Sequence, residues 1–170
     1  MQRRTFATLA AGLPLWLAGA ARAAGLSQPA GPVILRVSGR IRETNAEGGV
    51  ARFDRPMLEA LGVRKLTTSS AWTTGPTEFE GVLASAVLDA VGAEGTAVHA
   101  TALNDYAVTI PIDELRRYPI LLALKMNGQY LKIMDKGPIW IVYPRDQYRE
   151  LQDSLTDKKW IWQLHELQVE

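Results

Sequence analysis

Cysteine is absent from all 170 residues. That single absence excludes disulfides, thiolate nucleophiles, zinc ribbons and iron–sulfur clusters together. Histidine is nearly as scarce, His99 and His165 being the only two. Both fall in strand-like stretches away from any nucleophile-elbow motif, so a Ser/His/Asp mechanism and an imidazole-built transition-metal site lack their parts. Neither Gly48-Gly49 nor Gly92-Ala93-Glu94-Gly95 matches a phosphate-cradling loop, and both read as turns. Charge of one sign is missing too, with 19 basic against 18 acidic side chains, which gives nucleic acid no electrostatic footprint. Beyond residue 20 no apolar run is long enough to span a bilayer.

What is present is the composition of one globular domain, 47% hydrophobic and 22% charged. Residues 1–23 read as an address. Arg3-Arg4 precede an apolar run from Phe6 to Ala20 that is short and interrupted by Gly and Pro, and Ala21-Arg22-Ala23 supplies a small-x-small cleavage pattern. The arginine pair followed by Thr5 and Phe6 resembles a twin-arginine export signal, with an ordinary secretory signal as the alternative. The expected mature chain is periplasmic, cleaved near Ala23, not itself membrane-spanning, and slightly acidic once Arg3, Arg4 and Arg22 are gone. Residues 24–31 have the composition of a flexible leader, and 32–170 are expected to form a single domain.

Val33, Leu35 and Val37 alternate in the first strand pattern. In FDRPMLEALG, Asp54 caps a short helix, Pro56 is tolerated in its first turn, and Gly62 ends it. Val82, Leu83, Ala86, Val87, Ala90 and Val91 recur at helical spacing until Gly92. Asn104-Asp105 and Asn127-Gly128 mark hairpin tips within 97–110 and 120–134. Asp113 to Tyr118 makes a helical turn that Pro119 ends. IWIVY, residues 139–143, is a strand, Arg145 to Leu155 is helical in character, and KKWIWQLHELQV alternates as a last strand with Trp160 and Trp162 as core. These elements sum to a sheet-rich α+β domain with two or three short helices.

One stretch departs from scaffold chemistry. LTTSSAWTTGPTEFEGV, residues 66–82, carries threonines, serines and a tryptophan where a core strand would carry aliphatics. Trp72 and Trp140 lie in or beside polar loops where a ring can stack on a planar ligand, packing being the alternative for both. Glu78 and Glu80 are read as solvated charges.

The TTSSAW loop, FEGVLASAVLDAVGA, NDYAVTIP, the KMNGQYL hairpin, DKGPIWIVYP and the closing DKKWIWQLHELQV, in that order and spacing, resemble the molybdopterin-binding domain of the sulfite-oxidase family. The resemblance covers roughly residues 33–169 and is nearest to small exported members that carry little besides that domain. It implies the sulfite-oxidase fold, with the MNG hairpin and the Gly-Pro turn bringing backbone against the pterin. In catalytic members a cysteine before the tryptophan binds molybdenum, and by spacing from Trp72 its position here is about Thr68. An arginine usual after the Gly-Pro turn is replaced by Trp140. A threonine hydroxyl neither ionises readily nor acts as a soft ligand.

The resemblance therefore implies a reduced, metal-free pterin in a pocket where Trp72 stacks on the ring. Thr67, Thr68, Ser69, Ser70 and the Asp135–Pro138 turn, with Lys136, Gly137 and Pro138, would supply hydrogen bonds. Trp140 would stand beside them, and Tyr143 and Arg145 would line the rim. Asn104, Asp105 and Tyr106 are further candidates, a hairpin tip being their plainer explanation. Some small exported members are pterin-binding regulators that act on a membrane-bound signalling protein, and this sequence resembles that group. The expected function is accordingly a non-catalytic periplasmic pterin-binding protein that signals occupancy to an inner-membrane partner. The alternative is a molybdopterin-dependent oxidoreductase without the cysteine ligand, and a third reading is an interaction module with no small ligand.

Overall fold

The computed structural model describes residues 25–170, so the export-signal reading of residues 1–23 lies outside the described residues. Two five-stranded sheets share one buried core. The first runs in the order β2-β1-β10-β5-β6, where β1 is Val33–Gly39, β2 Ala51–Asp54, β5 Ala97–Ala102, β6 Ala107–Pro111 and β10 Leu164–Val169. Its central pair, β1 and β10, is parallel and its other neighbours are antiparallel. The second runs β3-β4-β7-β8, with β9 also paired to β7. Its strands are Val63–Thr68, Thr77–Leu83, Leu121–Met126, Gln129–Tyr130 and Trp140–Val142 in the order β3, β4, β7, β8, β9. Leu35, Val37 and Phe53 from one sheet and Phe79, Val82 and Leu122 from the other are all essentially inaccessible to solvent and belong to the same cluster.

Local chemistry explains the punctuation. Asp54 closes β2 and caps α1, Arg55–Ala60, its carboxylate accepting from Met57 N at 3.0 Å. The same carboxylate accepts from Ala30 N and Gly31 N at 2.8 Å each. Asn45 adds bonds to Ser27 O and Gln28, so the leader is tied along the body. Together the three amides hold the Asp54 carboxyl below its ordinary value. Asn127 and Gly128, with φ of 51° and 76°, make the expected β7–β8 turn. Asp105, φ 65°, makes the β5–β6 turn. Helix α3, Ile112–Arg117, buries Ile112 and Leu115 on the core.

Four expectations shift. The 66–82 stretch is mostly a hairpin, not a loop: β3 and β4 pair in register from Val63↔Val82 to Thr68↔Thr77, leaving only residues 69–76 as connection. Their polar side chains are accommodated because Lys65 lies between Glu78 at 3.1 Å and Glu80 at 3.7 Å. Val82 and Leu83 consequently belong to β4, and helix α2 is Ala84–Ala90. The helix expected over 145–155 is reduced to a 3-10 turn, Arg149–Leu151, followed by the single turn α4, Ser154–Asp157. With α4 the helices number four among the described residues. Finally, Trp160 and Trp162 precede the last strand, which begins at Leu164. Residue Gln163, φ 54°, breaks the alternation, and its amide donates to Lys136 O at 3.0 Å.

Candidate functional site

That break folds the 157–163 segment against the 136 turn and gathers the tryptophans. Trp72 meets Trp162 edge-on at 5.5 Å and Trp160 at 6.1 Å between ring centroids. Trp140 lies 6.0 Å from Trp160 and 6.3 Å from Trp162. Behind them Phe79 abuts Trp140 at 5.3 Å, and Tyr143 stacks on Trp160 at 6.3 Å. Edge-on and offset contacts of this kind match the quadrupoles of the rings and hold them rigidly.

The front of this cluster opens as a cleft of about 260 Å3, walled by Trp72, Trp160, Trp162 and Tyr106 and edged by Asn104, Asp157 and Lys158. Trp160 is 2% exposed, and its indole Nε1, like that of Trp140, has no hydrogen-bond partner. Asp157 and Arg145 approach at 3.5 Å between Oδ1 and Nε, too long for a good hydrogen bond, and both atoms are buried without one. Asn104 Oδ1 accepts from Tyr106 N at 3.2 Å, which leaves the amide nitrogen as a donor. Tyr106 Oη donates to Lys158 O at 2.9 Å and fastens the hairpin tip to the far wall.

Behind the cleft, Glu114 accepts from Tyr143 Oη at 2.8 Å and from Lys159 Nζ at 2.6 Å. Burial first, and then the Glu114 carboxylate, push the Tyr143 phenol far above its ordinary value, so it remains a donor throughout the physiological range.

The sequence-predicted residues divide into three groups. Trp72 lines the cleft, Trp140 lies fully buried in the aromatic cluster behind it, and Lys136 sits with Nζ 5.4 Å from the Trp140 ring and 5.8 Å from the Trp162 ring. Arg145 reaches the cleft edge through Asp157, whereas Tyr143 is wholly buried and therefore forms backing, not rim. The hydroxyl residues do not enter the cleft lining. Thr67 is exposed on β3, on the opposite face from buried Thr68. Thr68 Oγ1 accepts from Asp146 N at 3.2 Å and donates weakly to Ser69 O at 3.4 Å. Ser69 donates to the Asp146 carboxylate through its amide, at 2.6 Å, and through its hydroxyl. Ser70 bonds Thr73 Oγ1 at 2.9 Å and accepts from Trp72 N, fixing the turn that presents Trp72.

Gly137 is buried, and only glycine fits there because a Cβ would come within 2.5 Å of Leu131 O and C. Its close approach is thus to the chain's own backbone. Pro138, following a cis peptide bond, lines a separate groove with Val33 and Tyr130. Sequence reasoning missed Asp157 and Lys158; its core assignment holds for Trp160, with Trp162 packed against the core, but it placed both in the last strand and missed their part in the cleft wall. The available signal was two tryptophans one residue apart beside a polar turn.

The fold is a sheet-rich α+β domain whose open cleft is walled by aromatic rings. The chain belongs to the oxidoreductase molybdopterin binding domain family, whose model matches residues 55–149. No curated protein matches it. Among solved structures it is similar to the sulfane dehydrogenase SoxCD from Paracoccus pantotrophus, with a TM-score of 0.59 and 17% identity over 79% of this chain. The similar region spans 37% of that chain. The fold is therefore the sulfite-oxidase-type fold.

The residues present fit only part of a molybdenum cofactor. Thr68, expected from the resemblance at the thiolate position, is 0% exposed and its hydroxyl is engaged. Among the described residues no three His, Asp or Glu side chains converge as metal ligands. The cleft, by contrast, suits a planar ring. Its volume falls just below the roughly 300–1,000 Å3 typical of drug-sized ligands, which favours a bicyclic heterocycle over the whole pterin–dithiolene–phosphate assembly.

Proposed function

We propose that this protein is an exported, non-catalytic pterin-binding protein that reports ligand occupancy to a partner in the inner membrane. The observation that carries the reading is Thr68: where the resemblance puts the metal-binding thiolate stands a buried, hydrogen-bonded hydroxyl, while the aromatic cleft, whose lining does not include Thr68, is open. A flat heterocycle enters the cleft and stacks on Trp72, with Trp160 and Trp162 completing an apolar wall that excludes water. Export is supported by Arg3-Arg4, the apolar run and the small-x-small pattern. Molybdenum and pterin are to be measured in one purified sample. The expected result is fluorescent pterin without stoichiometric metal, and Trp72→Ala is expected to abolish pterin retention. One molybdenum per chain sinks the proposal.

The family itself supports a second reading, a molybdopterin-dependent oxidoreductase in which no protein thiolate completes the metal shell. It predicts reduction or oxidation of artificial electron carriers by protein from an ordinary host. That activity should vanish in a host unable to make the cofactor, and unchanged turnover there eliminates this reading.

A further inference from the structure

The cleft is aromatic on its walls and polar only at its edge, so whatever distinguishes one planar ligand from another must act at that edge. Two groups there carry complementary, unspent hydrogen-bonding capacity. Asp157 is an acceptor that makes no side-chain hydrogen bond among the described residues, held near Arg145 at 3.5 Å with 23% of its side chain exposed. Asn104 offers its amide nitrogen as a donor, because its oxygen is committed to Tyr106 N. An edge with one anionic acceptor and one donor matches a ring that presents an amino group and a carbonyl.

Resting on the pterin reading above, we propose that Asp157 is the specificity-determining residue of the site. It selects a 2-amino-4-oxopteridine over a 2,4-dioxopteridine by accepting a hydrogen bond from the 2-amino group. A carbonyl at ring position 2 would set an oxygen lone pair against the carboxylate, replacing an attraction with a repulsion. Arg145 Nε stands 3.5 Å from the buried Oδ1, so the oxygen that meets the ligand is Oδ2. Asp157 lies in the C-terminal segment, beyond the stretch that matches the family model. A hydrogen bond to a charged group discriminates by on the order of ten- to a hundredfold.

The test is calorimetric titration of the full mature protein with pterin, with lumazine (2,4-dioxopteridine) and with N2,N2-dimethylpterin, which has no 2-amino hydrogen. Pterin is expected to bind at least tenfold more tightly than either analogue, and Asp157→Asn to reduce the pterin-to-lumazine ratio to within about threefold. Equal binding of pterin and lumazine by the wild-type protein overturns the selectivity proposal and leaves the pterin reading standing. Equal binding of pterin and its dimethyl derivative overturns it independently, whether or not Asp157→Asn folds. A folded Asp157→Asn protein that keeps the full preference also overturns it. Failure of all three ligands to bind the wild-type protein overturns the pterin reading, and this inference falls with it.

Discussion

Thr68 is fully buried on β3, and its hydroxyl ties that strand to the 144–147 segment. Its side chain is 0% exposed, and its hydroxyl accepts from the Asp146 amide. Thr68→Val keeps the shape and removes that acceptor, so the folded state should lose about 1–2 kcal/mol, read as a lowered denaturant midpoint at unchanged slope. The engagement of its hydroxyl was not legible in the sequence, because the partner lies 78 residues away. Trp160 and Trp162 pack in or against the core as expected, but their placement in the last strand was wrong for a related reason. Alternation with Leu164 mimics a strand, and only the left-handed Gln163 backbone turns the pair into a cleft wall.

Among the elements, those written in local chemistry were the legible ones. Asn127-Gly128 fixes its hairpin and Asp54 its helix from within a few residues. Strand β4 was hidden because Thr77, Glu78 and Glu80 gain their strand character only from pairing with β3 and β7. Gly81 is the hinge of that pairing: a Cβ there would lie 2.0 Å from Leu122 O, at the point where the β4–β7 register shifts. Gly81→Ala should therefore destabilise the domain by about 3 kcal/mol, measured by urea unfolding.

Asp54 makes the element-scale prediction about pH. Its folded carboxyl titrates lower than it does unfolded, through bonds from Met57, Gly31 and Ala30 amides. The stability it confers is therefore complete above the ordinary aspartate range of about 3.9 and is lost as pH falls through the lowered folded value. Asp54→Ala should lower stability at pH 7 and flatten the acid limb below pH about 4, which thermal melts from pH 7 to 2 will show.

Across the whole molecule, Glu114 fastens the cleft's back wall to helix α3 through Lys159 and Tyr143, whose side chains are largely shielded from water. Glu114→Ala strands both partners, so a loss of about 2–3 kcal/mol is expected, with faster amide exchange at 157–162 than at β7. If exchange rises uniformly instead, the contact is not specific to the wall. The parallel pairing of β1 with β10 sets Arg36 beside Glu166 at the centre of the first sheet. During synthesis the second sheet, drawn wholly from residues 63–142, is complete in sequence well before that strand emerges. The β1–β2 and β5–β6 hairpins must wait for a shared neighbour still inside the ribosome. Closure of the first sheet is thus a late, long-range step, and until it occurs β1 and β5 each carry an open edge.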